Sequence, residues 1–156
     1  MDEMEIVEKE ALKVIGIRAR GAYGDTARLL PKIFQFAFAN DLDVTGPPLF
    51  LCHELTMEEV EKAMKNDDAD LEVALPVSGD IKETNEVRYY QLPAVKVVRT
   101  LHRGPYEKVG DTYGRIFQWM EENGREVKGP YREYYLNDPS QVPKEDILTE
   151  VCAQIE

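Results

Sequence analysis

Along this chain the spacing of apolar residues switches between a strand period and a helix period, and the switches come twice in the same order. Ala11 to Arg20 is rich in β-branched and small apolar residues and reads as a strand, preceded by an extended run from Met4 to Val7. After Gly21-Ala22-Tyr23-Gly24 the spacing becomes helical. Leu29, Leu30, Ile33, Phe34, Ala37 and Phe38 fall on one stripe, with Asp25 or Thr26 placed to cap it. Pro31 lies inside that stripe and lacks an amide donor, which predicts a helix that starts late or kinks there; Asn40 marks its end. Gly46-Pro47-Pro48 leads into a strand from Leu49 to Leu55, Thr56-Met57-Glu58-Glu59 opens a short acidic helix to about Lys65, and Leu71 to Val77 reads as a further strand.

The second pass starts with strands from Val87 to Leu92 and from Ala94 to Leu101. Gly104-Pro105 then turns the chain into a helix from about Tyr106 to Asn123, with Val109, Tyr113, Ile116, Phe117 and Met120 on its apolar face and Asn123-Gly124 as its stop. Tyr131 to Leu136 and Ile147 to Ile155 are the last strands, separated by the turn Asn137-Asp138-Pro139.

The two passes share residues as well as pattern. Lys13-Val14 returns 83 positions later as Lys96-Val97, Arg20-Gly21-Ala22-Tyr23 as Arg103-Gly104-Pro105-Tyr106, Ile33-Phe34-Gln35 as Ile116-Phe117-Gln118, and Gly46-Pro47 as Gly129-Pro130. Glu72-Val73 is echoed as Glu150-Val151, five residues short of that offset. Each half reads strand, helix, strand, strand, and a lone half would leave strand surface uncovered. The expectation is an α+β fold. A single domain over residues 1–156 holds two repeats, about 1–82 and 83–156, whose duplicated β-α-β-β units form one curved antiparallel sheet with helices packed on it and a groove between the halves.

Composition narrows the partners. At 156 residues and 43% hydrophobic content the chain is one domain's worth of soluble globular protein, and a formal charge of −11 opposes a nucleic-acid surface, which needs Lys and Arg against phosphate. Neutral or cationic partners fit better. Neither a charged-then-apolar leader nor an apolar run of the roughly 20 residues that cross a bilayer is seen, so membrane contact is not expected and a cytoplasmic location is. Cys52 and Cys152 form no CxxC pair and read as reduced buried thiols.

Candidate chemistry lies where the halves differ. Phe50 aligns with Glu133, an aromatic exchanged for a carboxylate at equivalent strand positions. Strand alternation sends Tyr131, Glu133 and Tyr135 to one face and Arg132, Tyr134 and Leu136 to the other. A carboxylate between two tyrosines loses water and either gains proton affinity or attracts a cation. Residue types leave two readings open: Glu133 solvated or paired with an arginine from a neighbouring strand, or Glu133 as a binding group. Trp119, which aligns with Phe36, either lines the groove or completes the core, the latter being the simpler reading. Tyr89 and Tyr90 lie on opposite faces of their strand, so one of them can add to an aromatic wall.

Other constellations carry less. Cys52, His53 and Glu54 are adjacent, but a strand sends neighbours to opposite faces, which is poor geometry for a metal, and none is expected. His102 has no nucleophile motif around it. Gly21-Ala22-Tyr23-Gly24 lacks the lysine and spacing of a P-loop, and no cofactor is implied. The acidic run Glu58, Glu59 and Glu61 is a solvated face.

Arg103-Gly104-Pro105-Tyr106, Ile116-Phe117-Gln118-Trp119, Glu122-Asn123-Gly124 and Gly129-Pro130-Tyr131-Arg132-Glu133-Tyr134-Tyr135-Leu136-Asn137-Asp138-Pro139 together resemble the GyrI-like family. Its members are small-molecule-binding domains, some of them effector domains of AraC-type and MerR-type transcription regulators. The resemblance implies a duplicated β-α-β-β fold around a ligand groove, with a glutamate that matches Glu133 facing the groove and cationic or polar ligands; an aromatic or cationic small molecule is the expected partner. It turns the reading of Glu133 towards binding, with Tyr131, Tyr135, Trp119, Phe50 and Tyr90 as the accompanying candidates. It also implies three roles for stand-alone relatives: sequestration of toxic small molecules, modulation of DNA gyrase, and hydrolysis of strained electrophiles such as cyclopropane-bearing alkylators. A hydrolase would use Glu133 as its general base, with a tyrosine or Trp119 positioning substrate. With no segment for a helix-turn-helix, direct DNA binding is not expected, and gyrase or a transcription regulator is the candidate protein partner.

Overall fold

The computed structural model describes residues 3–156. In chain order the elements are β1 (Glu5–Lys9), β2 (Leu12–Gly21), α1 (Thr26–Ala39), β3 (Asp43–Val44), β4 (Leu49–Cys52), α2 (Met57–Asn66), β5 (Ala69–Ser78), β6 (Arg88–Leu92), β7 (Val95–Arg103), α3 (Val109–Glu122), β8 (Tyr131–Tyr135) and β9 (Leu148–Gln154). The strands form one curled antiparallel half-barrel in the order β1-β7-β9-β8-β4-β5-β2-β6, with β3 paired to β5, and the helices pack against it.

That order is a palindrome of the repeat. β4 pairs with β8 at its centre, and Phe50 stands directly opposite Glu133. These two positions are equivalent in the repeat, so the pseudo-twofold axis passes between them. At the flanks the halves exchange their leading strands: β1 pairs with β7 of the second half, and β6, its equivalent, pairs with β2 of the first. Only two residues separate β1 from β2 and β6 from β7, so each exchange pins one half to the other. The boundary at residues 82 and 83 therefore divides the sequence but does not divide the sheet.

The sheet is buried on both faces. Ile15, Ile17, Leu71, Val73, Val98 and Val151 face the helices and pack with Leu29, Ile33 and Ala37 of α1 and with Ile116 and Met120 of α3. Their strand neighbours Val14, Leu49, Leu51, Ala74, Val97 and Cys152 form a second cluster that contains no helical residue; the curl of the sheet encloses it. Double burial explains why β2 and β5 read as near-continuous apolar runs.

The first helix differs from expectation. It runs unbroken from Thr26 through Pro31 to Ala39, whereas the proline predicted a late start or a kink. An interior proline costs about 3 kcal/mol, but burial of Leu29 and Ile33 contributes roughly 1.5–3 kcal/mol each, so packing holds the turn. Residues 106–108, expected as the first turn of the second helix, form a separate 3-10 turn ahead of α3. α2 is capped as read, with the Thr56 hydroxyl accepting from the Glu59 amide at 3.1 Å.

α1 lies over β2 and β5, while α3 lies over β7 and β9. The central pair β4 and β8 is thus the floor of a furrow between the two helices.

Candidate functional site

Alternation along β8 puts Tyr131, Glu133 and Tyr135 on the helix side. Arg132 and Tyr134 go to the other face, where the Arg132 guanidinium donates to the Tyr134 hydroxyl at 3.1 Å and to the Pro93 carbonyl at 3.3 Å. Arg132 is therefore not the counter-ion of Glu133. Only 8% exposed, Glu133 accepts a hydrogen bond from the Tyr113 hydroxyl at 2.6 Å and another from the Tyr135 hydroxyl at 3.3 Å. Among the described residues no lysine, arginine or histidine forms an ion pair with it. Burial raises its carboxyl above the ordinary range, against the opposing pull of the two tyrosine donors. The Tyr113 and Tyr135 hydroxyls are in turn held well above their usual value by burial and by the carboxylate. A buried carboxylate without a cation carries a penalty of several kcal/mol, which a proton or an arriving cation relieves.

Rings close around this group. Tyr106, on the turn ahead of α3, meets Tyr135 edge-on with centroids 5.2 Å apart, and Tyr113, Phe117 and Tyr131 touch one another at 5.5 to 6.1 Å. Cys52 follows two residues after Phe50 on the same face of β4; burial pushes its thiol up to about 12, with the charges of Glu54 and Glu133 adding to the rise. It is an inert thiol in this state.

The structure brings Glu133, Tyr131, Tyr135 and Phe50 together. Trp119 lies on α3, partly buried against the helix-side core, and makes none of the ring contacts above. Tyr90 is not part of the group. It stands in register with Val14, whose side chain faces away from the helices, and it crosses Gly16 to donate to Glu72 at 2.6 Å. Only a glycine permits that path, since a Cβ on residue 16 would lie 1.9 Å from the Tyr90 hydroxyl oxygen. His53 likewise points to the far face, with its Nε2 2.7 Å from Glu72, and so parts from Cys52 and Glu54, which stay on one side with the Cys52 thiol 3.9 Å from the Glu54 carboxylate.

Sequence reasoning placed Tyr113 and Phe117 on the helix stripe without assigning them to the site, and it passed over Tyr106. A signal existed for Tyr113, because its repeat partner is Leu30 and the hydroxyl is new to the second half.

Two open cavities lie elsewhere. One of about 490 Å³ beside α1 is lined by Phe34, Gln35, Ala37, Phe38, Leu42 and Val44 and carries no charged group. Another, of about 290 Å³, lies near Lys9, Pro47, Tyr134 and Glu150. Chemistry, not open volume, singles out the furrow at Glu133. Its rings are shut over the carboxylate, so a ligand must displace some of them.

Comparison with known families matches residues 2–156 to the GyrI-like small molecule binding domain, and the chain belongs to that family. Comparison with curated protein sequences gives no match. Among solved structures, the EcmrR C-terminal domain is similar over 100% of this chain and 98% of that one, at 22% identity and TM-score 0.87. The longer EcmrR chain in an EcmrR–DNA complex is covered over 57% of its length by 99% of this one, again at 22% identity and TM-score 0.87. A hydrolase encoded by lin2189 from Listeria innocua matches 99% of this chain and 92% of its own at 15% identity and TM-score 0.70. SAV2435, solved bound to tetraphenylphosphonium, matches 99% and 94% at 15% identity and TM-score 0.65. At these identities the likenesses establish the fold.

Proposed function

We propose that this GyrI-like domain binds lipophilic cations in the furrow over β4 and β8, with Glu133 as the counter-charge and Tyr106, Tyr113, Tyr131 and Tyr135 as stacking faces. One observation carries the reading: Glu133 is buried among tyrosines and has no cationic partner among the described residues. A cation about 4 Å from a carboxylate at an effective dielectric of 20 gains about 4 kcal/mol, and each aromatic face adds roughly 0.5–2 kcal/mol. Lipophilic cations are weakly hydrated and give up little on entry, which favours them over metal ions or ammonium. SAV2435 bound to tetraphenylphosphonium supplies a precedent for the ligand class on this fold.

The test is a titration with tetraphenylphosphonium, followed by the fluorescence of Trp119 on the neighbouring helix. Glu133→Gln is expected to weaken binding about 10–100-fold, a loss of roughly 1.4–2.7 kcal/mol. Equal affinity of the two proteins contradicts the proposal.

The raised proton affinity of Glu133 favours a second reading, in which it serves as a general base in hydrolysis of a strained electrophile. Multiple turnovers of ring-opened product, abolished in Glu133→Gln, would select that reading, whereas stoichiometric loss of substrate would reject it. The likeness to EcmrR supports a ligand-sensing context with a transcription regulator as partner. No helix among the described residues is long and apolar enough to cross a membrane, and we place the role in the cytoplasm.

A further inference from the structure

We infer that Thr149 is a second polar anchor of the furrow, so that the preferred ligand is a lipophilic cation bearing a hydrogen-bonding group beside its charge. The inference rests on the cation-binding reading of Glu133. Thr149 lies on β9 directly opposite Tyr135, with Val151 opposite Glu133. Thr149 and Val151 share a face, and Val151 belongs to the helix-side core, so the Thr149 side chain lies on the Glu133 side of the sheet. Its hydroxyl is fully buried and has no hydrogen-bond partner.

Neighbouring polar groups are already engaged. His102, which flanks Thr149 from β7, lies within 2.9 Å of the Pro105 carbonyl through Nε2 and within 2.8 Å of the Thr112 hydroxyl through Nδ1. The carbonyl can only accept, so Nε2 carries a proton, and in the neutral ring Nδ1 accepts from Thr112. Thr112 also accepts from Arg115 at 3.2 Å. None of these turns to Thr149.

The fold does not need a hydroxyl there. By the echo of Glu72-Val73 in Glu150-Val151, the counterpart of Thr149 is Leu71, fully buried in the same sheet. Thr100, His102 and Thr112 correspond to Ile17, Ala19 and Leu29, so at these three positions the polar residue is found only in the half that carries Glu133. An unpaired buried hydroxyl is destabilising, and the isosteric valine would remove the penalty.

Ligand entry gives the hydroxyl a partner. Tyr106 and Tyr135 are half-buried and meet edge-on, and Tyr135 donates to the Glu133 carboxylate, so they are the rings placed to swing aside. Thr149 sits next to Tyr135 and diagonally from Glu133, about 7–8 Å away by the ordinary spacing of diagonal pairs. A ligand that puts its charge at Glu133 then reaches Thr149 with a hydroxyl, amine or ether on one ring.

The experiment is calorimetric titration with tetraphenylphosphonium and with its analogue carrying one hydroxymethyl group meta to phosphorus. For the wild type the analogue is expected to bind about 5–10-fold tighter, the gain of one well-made hydrogen bond. Thr149→Val is expected to erase that preference while leaving the parent cation's affinity within about twofold; Thr149→Ser retains it. A preference that survives in Thr149→Val, or is absent from the wild type while the parent cation binds, overturns this inference alone. Failure of both cations to bind the wild type overturns the cation site and the anchor with it.

Discussion

Tyr23 and Tyr106 occupy equivalent places ahead of the two long helices, yet one is tied down and the other is not. Tyr23 donates to Glu54 at 2.8 Å, and Glu54 also accepts from the Asp70 amide at 3.0 Å. In the second half Asn137 takes the place of Glu54. It keeps the strand clamp, accepting from the Leu148 amide at 3.0 Å, but gives its other group to the Asp146 carbonyl and offers nothing to Tyr106. Tyr106 packs instead on Tyr135, whose hydroxyl donates to the Glu133 carboxylate. The same division runs through Phe50 against Glu133 and Leu30 against Tyr113. At these positions one half keeps apolar residues and a tied tyrosine, whereas the other carries a buried carboxylate with no cationic partner among the described residues, an added hydroxyl and an untied ring, which stabilise the fold less and suit a ligand more.

The largest expected effect breaks the asymmetry at the axis. Phe50→Glu would set a second carboxylate directly opposite Glu133 in the buried floor, and a loss of about 3–5 kcal/mol in urea unfolding at neutral pH is expected, shrinking as acid protonates one of the pair. A loss under about 1 kcal/mol would mean the floor is wetter than its burial implies. Where the halves are alike, their costs should be alike: Ile33→Ala and Ile116→Ala, both at fully buried sites, should each lose roughly 2–5 kcal/mol. Clearly unequal losses would show that α1 and α3 are not docked equivalently.

Tyr113→Phe removes a hydroxyl that its counterpart Leu30 never had. About 1.5–3 kcal/mol of stability should go at neutral pH, the range for a hydrogen bond to a charged group, and Glu133 should titrate still higher. The smallest effect is a pH dependence. Because the Glu133 carboxyl titrates higher folded than unfolded, the folded protein binds more protons between those two values. Stability therefore falls as pH rises from the ordinary carboxylate range through the raised value, and levels off above it. Glu133→Gln lacks this component, so its thermal midpoint relative to wild type should climb across that window; a pH-independent difference would argue that Glu133 titrates normally.

Much of this was legible without coordinates because it follows from local periodicity. The order strand, helix, strand, strand came from apolar spacing, and alternation alone put Tyr131, Glu133 and Tyr135 on one face. The exchange of β1 and β6 was not legible, since a short alternating strand carries no mark of its non-local partner. Tyr90 illustrates the same limit: its face depends on register with β2, and its path depends on the missing Cβ of Gly16. Tyr106 and Tyr113 needed knowledge of which helical turn overlies β8. Thr149 was hidden because an orphan hydroxyl appears only when every neighbour is in place.

The most direct test is a crystal structure of the protein with tetraphenylphosphonium. The cation should lie over β4 and β8, beside the Glu133 carboxylate, with the rings of Tyr106 and Tyr135 displaced. A cation seated instead in the uncharged cavity beside Phe34 and Phe38, with Tyr113 still closed on Glu133, would contradict the account.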